Sequence, residues 1–215
     1  MSEYVRPPID PPVFRDAQAS VINYGDRWGR AGPPGETYSL TSNLERFAPL
    51  HTVADALIDY LACTFDVTRC EGIELAGAIE HPRDDVVRAV RLAPADARAA
   101  RLTFVFASFP SVVMFAGAVQ EIRFPDCGCD ACDESWNTQA EEMEWQALAV
   151  AAGNFSESIK IGWKPWVDVE IYSDGASRSG RSGPLQLSKT RIRDARRLLK
   201  AVPDGWVPWQ RTHHT

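Results

Sequence analysis

The chain has 215 residues and a mass of 23.8 kDa, the length of one generous domain or two very small ones. With 45% hydrophobic residues, 24% charged residues and a mean hydropathy of -0.25, it is neither a membrane-embedded chain nor a wholly disordered one. A net charge of -6 argues against a general nucleic-acid binder, and five cysteines, an odd number, suit neither a disulfide framework nor a secreted mini-domain.

The N-terminal run Met1-Ser2-Glu3-Tyr4-Val5-Arg6 lacks the basic-then-apolar order of a signal peptide. The longest apolar stretches, 112–119 and 147–152, are less than half a membrane span, so no membrane insertion is expected. The expected location is cytoplasmic. In that reducing compartment clustered cysteines more often mean metal or redox chemistry than disulfides.

Residues 1–40 are turn-rich, with Pro7-Pro8, Pro11-Pro12 and Pro33-Pro34-Gly35. Phe14, Val21, Ile22, Tyr24 and Trp28 are too hydrophobic for a solvated tail, so this segment reads as an extended arm packed on a single domain at 41–215. A helix is expected from Leu44 to Ala62, capped by Ser42 or Asn43, with Phe47, Leu50, Ala54, Leu57, Ile58 and Leu61 on its buried face. Residues 65–124 then read as strands: Phe65–Cys70, Val86–Leu92, Leu102–Ser108 and Val112–Phe124, the last two joined tightly through Phe109-Pro110-Ser111.

A second helix is expected from Trp136 to Ala152, opened by a capping box of Thr138 and Glu141 and stopped by Gly153-Asn154. A strand at Trp166–Tyr172 follows, then a Ser/Gly/Arg segment reaching Gly183 that is either a loop or a weak return strand. The third helix runs from Ser188 to Val202, with Trp206 and Trp209 packing back beyond it. The predicted fold class is α+β: a single domain, a mainly antiparallel sheet and about three flanking helices.

One motif carries chemistry. Cys127-Gly128-Cys129-Asp130-Ala131-Cys132-Asp133-Glu134 joins a predicted strand to a predicted helix. Three thiolates can converge there if the chain turns sharply at Gly128, and the helix N-terminus favours thiolate over thiol. Such a trio suits a zinc ion, whose structural sites take four ligands. Cys63, Cys70, His51, Asp130 and Asp133 are the candidates for the fourth. The rival chemistry is a thiol–disulfide oxidoreductase using Cys129 and Cys132, a C-x-x-C pair before a helix, with Pro165 in the place of a neighbouring cis-proline. A zinc hydrolase is a weaker third, since no obvious general base accompanies the cysteines.

Charge is segregated. Asp126–Glu144 contains seven acidic residues and no basic one, whereas residues 176–215 contain nine basic residues against Asp194 and Asp204. Lys189, Arg193, Arg196 and Lys200 form a stripe on the third helix that could meet a protein or anionic partner; the simpler reading is a solvated helix face. Glu141, Glu142 and Glu144 are expected to face solvent. No G-x-G-x-x-G, Walker A, H-E-x-x-H or G-x-S-x-G motif occurs.

The sequence resembles a family of uncharacterised actinobacterial proteins, a domain of unknown function. The resemblance lies in Tyr24-Gly25-Asp26-Arg27-Trp28-Gly29, Glu45-Arg46-Phe47-Ala48-Pro49-Leu50-His51, Leu102-Thr103-Phe104-Val105-Phe106, the cysteine motif, and Pro203-Asp204-Gly205-Trp206. It implies that His51 is the better candidate for the fourth ligand beside Cys127, Cys129 and Cys132, ahead of Cys63 and Cys70. No activity comes with it. The expected protein is a non-catalytic binding or regulatory domain with a structural zinc site.

Overall fold

The computed structural model describes residues 3–10, 12–78, 83–160, 166–173, 175–182 and 188–212. Eight strands form two antiparallel sheets, accompanied by three α-helices. The first sheet is a five-stranded meander of β1 (Val67–Glu71), β2 (Val86–Pro94), β3 (Leu102–Ala107), β4 (Ser111–Ala116) and β5 (Gln120–Phe124), in sequence order. The second is β6 (Phe155–Lys160), β7 (Trp166–Ser173) and β8 (Ala176–Ser182). The class is the expected α+β fold, with two sheets in place of one.

Helix α1 (Pro49–Thr64) begins on a proline, which supplies the helical φ and has no N–H to leave unpaired. A separate 3-10 turn, Leu44–Phe47, precedes it, so the predicted single helix is two elements. Leu50, Val53, Ala54, Leu57, Ile58 and Leu61 recur on one stripe and are all buried. This stripe, α2 (Trp136–Ala151) and one face of the meander share the main core around Phe104, Phe106, Val112, Met114 and Phe124. A 3-10 turn at Ile73–Ala78 brings Leu75 and Ala76 against Ala89, Val105 and Val113 on the other face. Hence every residue of β3 and β4 is buried, which is why those strands read as continuous apolar runs.

The run expected as one strand over Val112–Phe124 is two strands. They are separated by Gly117-Ala118-Val119, with Gly117 at φ +61°. The carboxylate of Glu157 on β6 holds this turn: Oε1 accepts from Ala118 N at 2.5 Å and Oε2 from Val119 N at 3.0 Å. Trp206 Nε1 donates to the same Oε1 at 3.1 Å, tying in the C-terminal segment. Trp209 packs edge-on against Phe65 and donates to Ala100 O at 2.7 Å. Helix α3 (Lys189–Leu199) buries Ala195, which packs with Val119 and Val167; among its neighbours Ile192 and Leu199 are half-buried. No helix among the described residues is long and apolar enough to cross a membrane.

Candidate metal centre

The cysteine motif occupies the passage from β5 to α2. The Phe124–Pro125 peptide is cis, and α2 opens with Ser135 as its cap, whose hydroxyl accepts from Thr138 N at 3.2 Å. The capping residue is therefore Ser135, not Thr138. Gly128 keeps a negative φ. Its lack of a side chain lets Phe109 approach, since a Cβ there would lie 3.2 Å from Phe109 Cζ. The left-handed residue in the passage is Asp133, at φ +52°.

Within it the three sulfurs gather. Cys127, Cys129 and Cys132 offer Sγ atoms that all lie within 4.8 Å of one another, Cys127 and Cys129 at 3.3 Å. Cys132 is exposed and the other two are half-buried.

The acidic residues of the motif do other work. Asp130, 4% exposed, accepts from Ser42 N at 2.9 Å, while its own N–H donates to Leu40 O at 2.8 Å. Ala131 N donates to Thr37 O at 3.2 Å, and Trp28 Nε1 to Asp130 O at 3.0 Å. Asp133 Oδ2 accepts from Arg27 N at 2.7 Å, with the Arg27 guanidinium 3.7 Å from its other oxygen. Glu134 Oε1 accepts from Cys127 N at 3.2 Å. Asp133 thus fastens the N-terminal arm, and Asp130 the segment just after it, to the turn that carries the sulfurs, while Glu134 ties that turn to itself.

Arg46 is the keystone of this fastening. It is 2% exposed, lies between the rings of Tyr24 and Phe47 at 4.4 and 4.3 Å, and donates to Ser42 O, to Gly128 O at 3.0 Å and to Glu134 O at 3.4 Å. Burial pulls its pKa below the ordinary arginine value, countered by Tyr24 and Asp130. Nothing in the sequence pattern marks Arg46 as buried; only its place in a stretch shared with the resembling family could have pointed to it.

The electrostatics suit a cation. The N–H of Cys132, the thiol of Cys127 and the N–H of Ala131 lower the pKa of Cys129, favouring thiolate. These donors belong to the turn itself, ahead of α2, which starts four residues beyond Cys132. Hydrogen bonding to the other two sulfurs pushes Cys132 up to about 12. A second thiolate so near the first is costly without positive charge, and a metal ion supplies it. Two carboxylate oxygens of the motif, Asp133 Oδ1 and Glu134 Oε2, are buried with no hydrogen-bond partner, and burial raises the pKa of Glu134. Tetrahedral zinc holds neighbouring sulfurs about 3.8 Å apart, so the residues present fit it.

The other expected site residues lie elsewhere. His51 does not join the sulfurs. Its Nε2 faces Ser111 O at 3.2 Å, its ring stands edge-on to Phe106, and burial lowers its pKa. Cys63 and Cys70 are exposed on α1 and β1, outside the cluster. Pro165, His213 and His214 lie outside the described residues. On α3, Arg193, Arg196 and Lys200 line a depression of about 210 Å³ together with Arg197; Lys189 does not line it. Among the described residues, Arg196, Arg197 and Lys200 have no carboxylate partner, and Arg193 Nε is 3.5 Å from Asp194 Oδ1. Glu144 does not face solvent as expected. It is buried beneath the arm, accepting from Tyr4 Oη at 2.7 Å and Arg6 Nε at 2.9 Å.

Compared with the curated proteins and with the solved structures, the chain has no significant match. A family of unknown function, DUF6226, matches residues 10–213, a span that includes most of the arm, the cysteine motif and the C-terminal segment. The chain belongs to that family.

Proposed function

We propose that Cys127, Cys129 and Cys132 bind one zinc ion, which fixes the turn from β5 into α2, and that the chain is a non-catalytic binding or regulatory domain of the cytoplasm. The observation that carries this reading is the gathering of three sulfurs within 4.8 Å, while Asp130 and Asp133 of the same motif accept from Ser42 and Arg27. When bound, zinc supplies positive charge to the thiolates and a covalent-strength anchor for the turn. Native mass spectrometry tests it: about one zinc per chain is expected, lost when Cys127, Cys129 and Cys132 are replaced together by Ser. A metal-free chain whose unfolding temperature is indifferent to chelation and to added zinc overturns the reading.

The lowered pKa of Cys129 supports a second reading, a thiol–disulfide oxidoreductase working through Cys129 and Cys132. It expects metal-free protein in which that pair loses two hydrogens to an oxidant and regains them from a dithiol. A pair that stays reduced under mild oxidant, or zinc that blocks its oxidation, counts against it.

The cationic depression on α3 supports an anionic partner for that helix, since guanidinium groups bind phosphate and carboxylate in forked pairs. Salt-sensitive binding of a polyphosphate should vanish when Arg193, Arg196, Arg197 and Lys200 are replaced together by Gln. Binding that survives this change, or no binding at low salt, overturns the proposal.

A further inference from the structure

We infer that Glu134 supplies the fourth donor to the metal held by Cys127, Cys129 and Cys132, so that the centre is completed by a carboxylate of the same motif. This rests on the zinc reading above: structural zinc takes four donors, and three sulfurs already gather. The cysteine spacing alone does not mark Glu134, because the residue's place beside the sulfurs comes from the fold of the turn.

The carboxylate stands next to the first ligand. Glu134 Oε1 accepts from Cys127 N at 3.2 Å, so one of its oxygens is held against the residue that carries the first sulfur. Its second oxygen, Oε2, is sealed from solvent and has no hydrogen-bond partner. A buried carboxylate oxygen in that state is costly until a proton or a cation reaches it. Ligating carboxylates are themselves hydrogen-bonded through the oxygen turned away from the metal, and the Cys127 N–H is placed to serve Oε1 in that way. Glu134 is not one of the group gathered within 4.8 Å, so metal binding draws Oε2 inward by rotation of the side chain.

The neighbouring acids are turned elsewhere. Asp130 Oδ1 accepts from Ser42 N, and Asp133 Oδ2 from Arg27 N. Asp133 Oδ1 is also buried without a hydrogen bond, but the Arg27 guanidinium stands 3.7 Å from it, whereas Glu134 forms no ion pair among the described residues. Three thiolates and a carboxylate around a dication leave an excess of negative charge. Arg46 offsets it, donating to Glu134 O at 3.4 Å and Gly128 O at 3.0 Å within the turn itself. Four donors from one motif leave the ion no place for water or substrate, which makes the centre structural rather than catalytic.

X-ray absorption at the zinc edge of the full, unaltered chain tests this directly. The expected result is three sulfur donors at about 2.3 Å and one oxygen at about 2.0 Å, without the outer-shell scattering of an imidazole ring. Glu134→Gln separates ligand from support, since the amide oxygen still accepts from Cys127 N but is a poor donor to zinc. That chain should bind zinc at least about tenfold more weakly, by competition with a chromophoric chelator, while Asp133→Asn changes affinity less than about twofold. In the cobalt(II) form, Glu134→Gln should shift the visible ligand-field bands and leave the thiolate-to-cobalt band in place. The inference is overturned by imidazole scattering or by a fourth sulfur in the unaltered chain. It is equally overturned by Glu134→Gln binding zinc as tightly as the unaltered chain, or by Asp133→Asn weakening binding as much as Glu134→Gln does. A changed cobalt spectrum in His51→Ala, His81→Ala or a double replacement of His213 and His214 gives the place to a histidine and overturns it too. Absence of any thiolate band in the unaltered chain would instead strike the zinc reading itself.

Discussion

Arg46 and Glu157 are the two buried charges on which most local structure hangs. Arg46→Met removes the guanidinium stacked on Tyr24 and Phe47 and leaves the carbonyls of Ser42, Gly128 and Glu134 without their donor. It is expected to cost about 2–4 kcal/mol, read as a lower urea midpoint. For Glu157, burial raises the pKa from 4.5 to about 7, outweighing the N–H donors of Ala118 and Val119 that favour the carboxylate. Between those two pH values the folded chain keeps a proton that the unfolded chain has released. This group's contribution to stability therefore falls as pH rises through that window. Glu157→Gln should flatten that slope in urea titrations run across the window. It should also cost about 1–3 kcal/mol at low pH, since the Gln amide turns an N–H donor toward another N–H.

The elements show which sequence signals were legible. Helices α1 and α2 were readable because their apolar stripes follow the helical period. Strand β6 carries no such signal: in Phe155-Ser156-Glu157-Ser158-Ile159-Lys160 the inward set contains a glutamate, so no apolar alternation marks it. The same glutamate hid the break between β4 and β5, because a turn held from 38 residues away leaves no trace in a local apolar run. Gly117→Ala tests that turn. The residue sits at φ +61°, and a Cβ would fall 2.1 Å from Glu157 Oε1 and 2.9 Å from Phe155 Cε1. A loss of about 2–4 kcal/mol is expected by chemical denaturation. At Gly175 the φ is also positive, +81°, but a Cβ meets nothing within 4 Å. There the same replacement should cost only about 1 kcal/mol.

At the scale of the whole molecule, the arm and the cysteine turn form one structure. Asp130, Asp133, Arg46 and Glu144, all under 10% exposed, are the residues through which 3–46 meet 127–144. Removing residues 1–40 therefore strips partners from buried charges as well as from apolar surface. The truncated chain should unfold at a lower temperature and bind zinc at least about tenfold more weakly, measured by competition with a chromophoric chelator. A truncated chain that unfolds like the whole one would show the arm to be dispensable. Zinc removal from the intact chain should lower the unfolding temperature, and a Cys132→Ser chain should show no further drop on chelation.

The sequence by itself determined the α+β class, the three helices and the cysteine trio, because each rests on local spacing: helical periods, apolar strands and three sulfurs within six residues. Tertiary structure decided the roles of the charged residues between and around those cysteines. Whether an aspartate ligates a metal or caps a distant N–H depends on where a chain segment some 90 residues earlier is packed, and no local spacing encodes that. The same holds for His51, whose helical position put it near the core but whose partner, Ser111 O, belongs to a strand 60 residues on. Short-range pattern marks which side chains can do chemistry; long-range packing settles which of them meet.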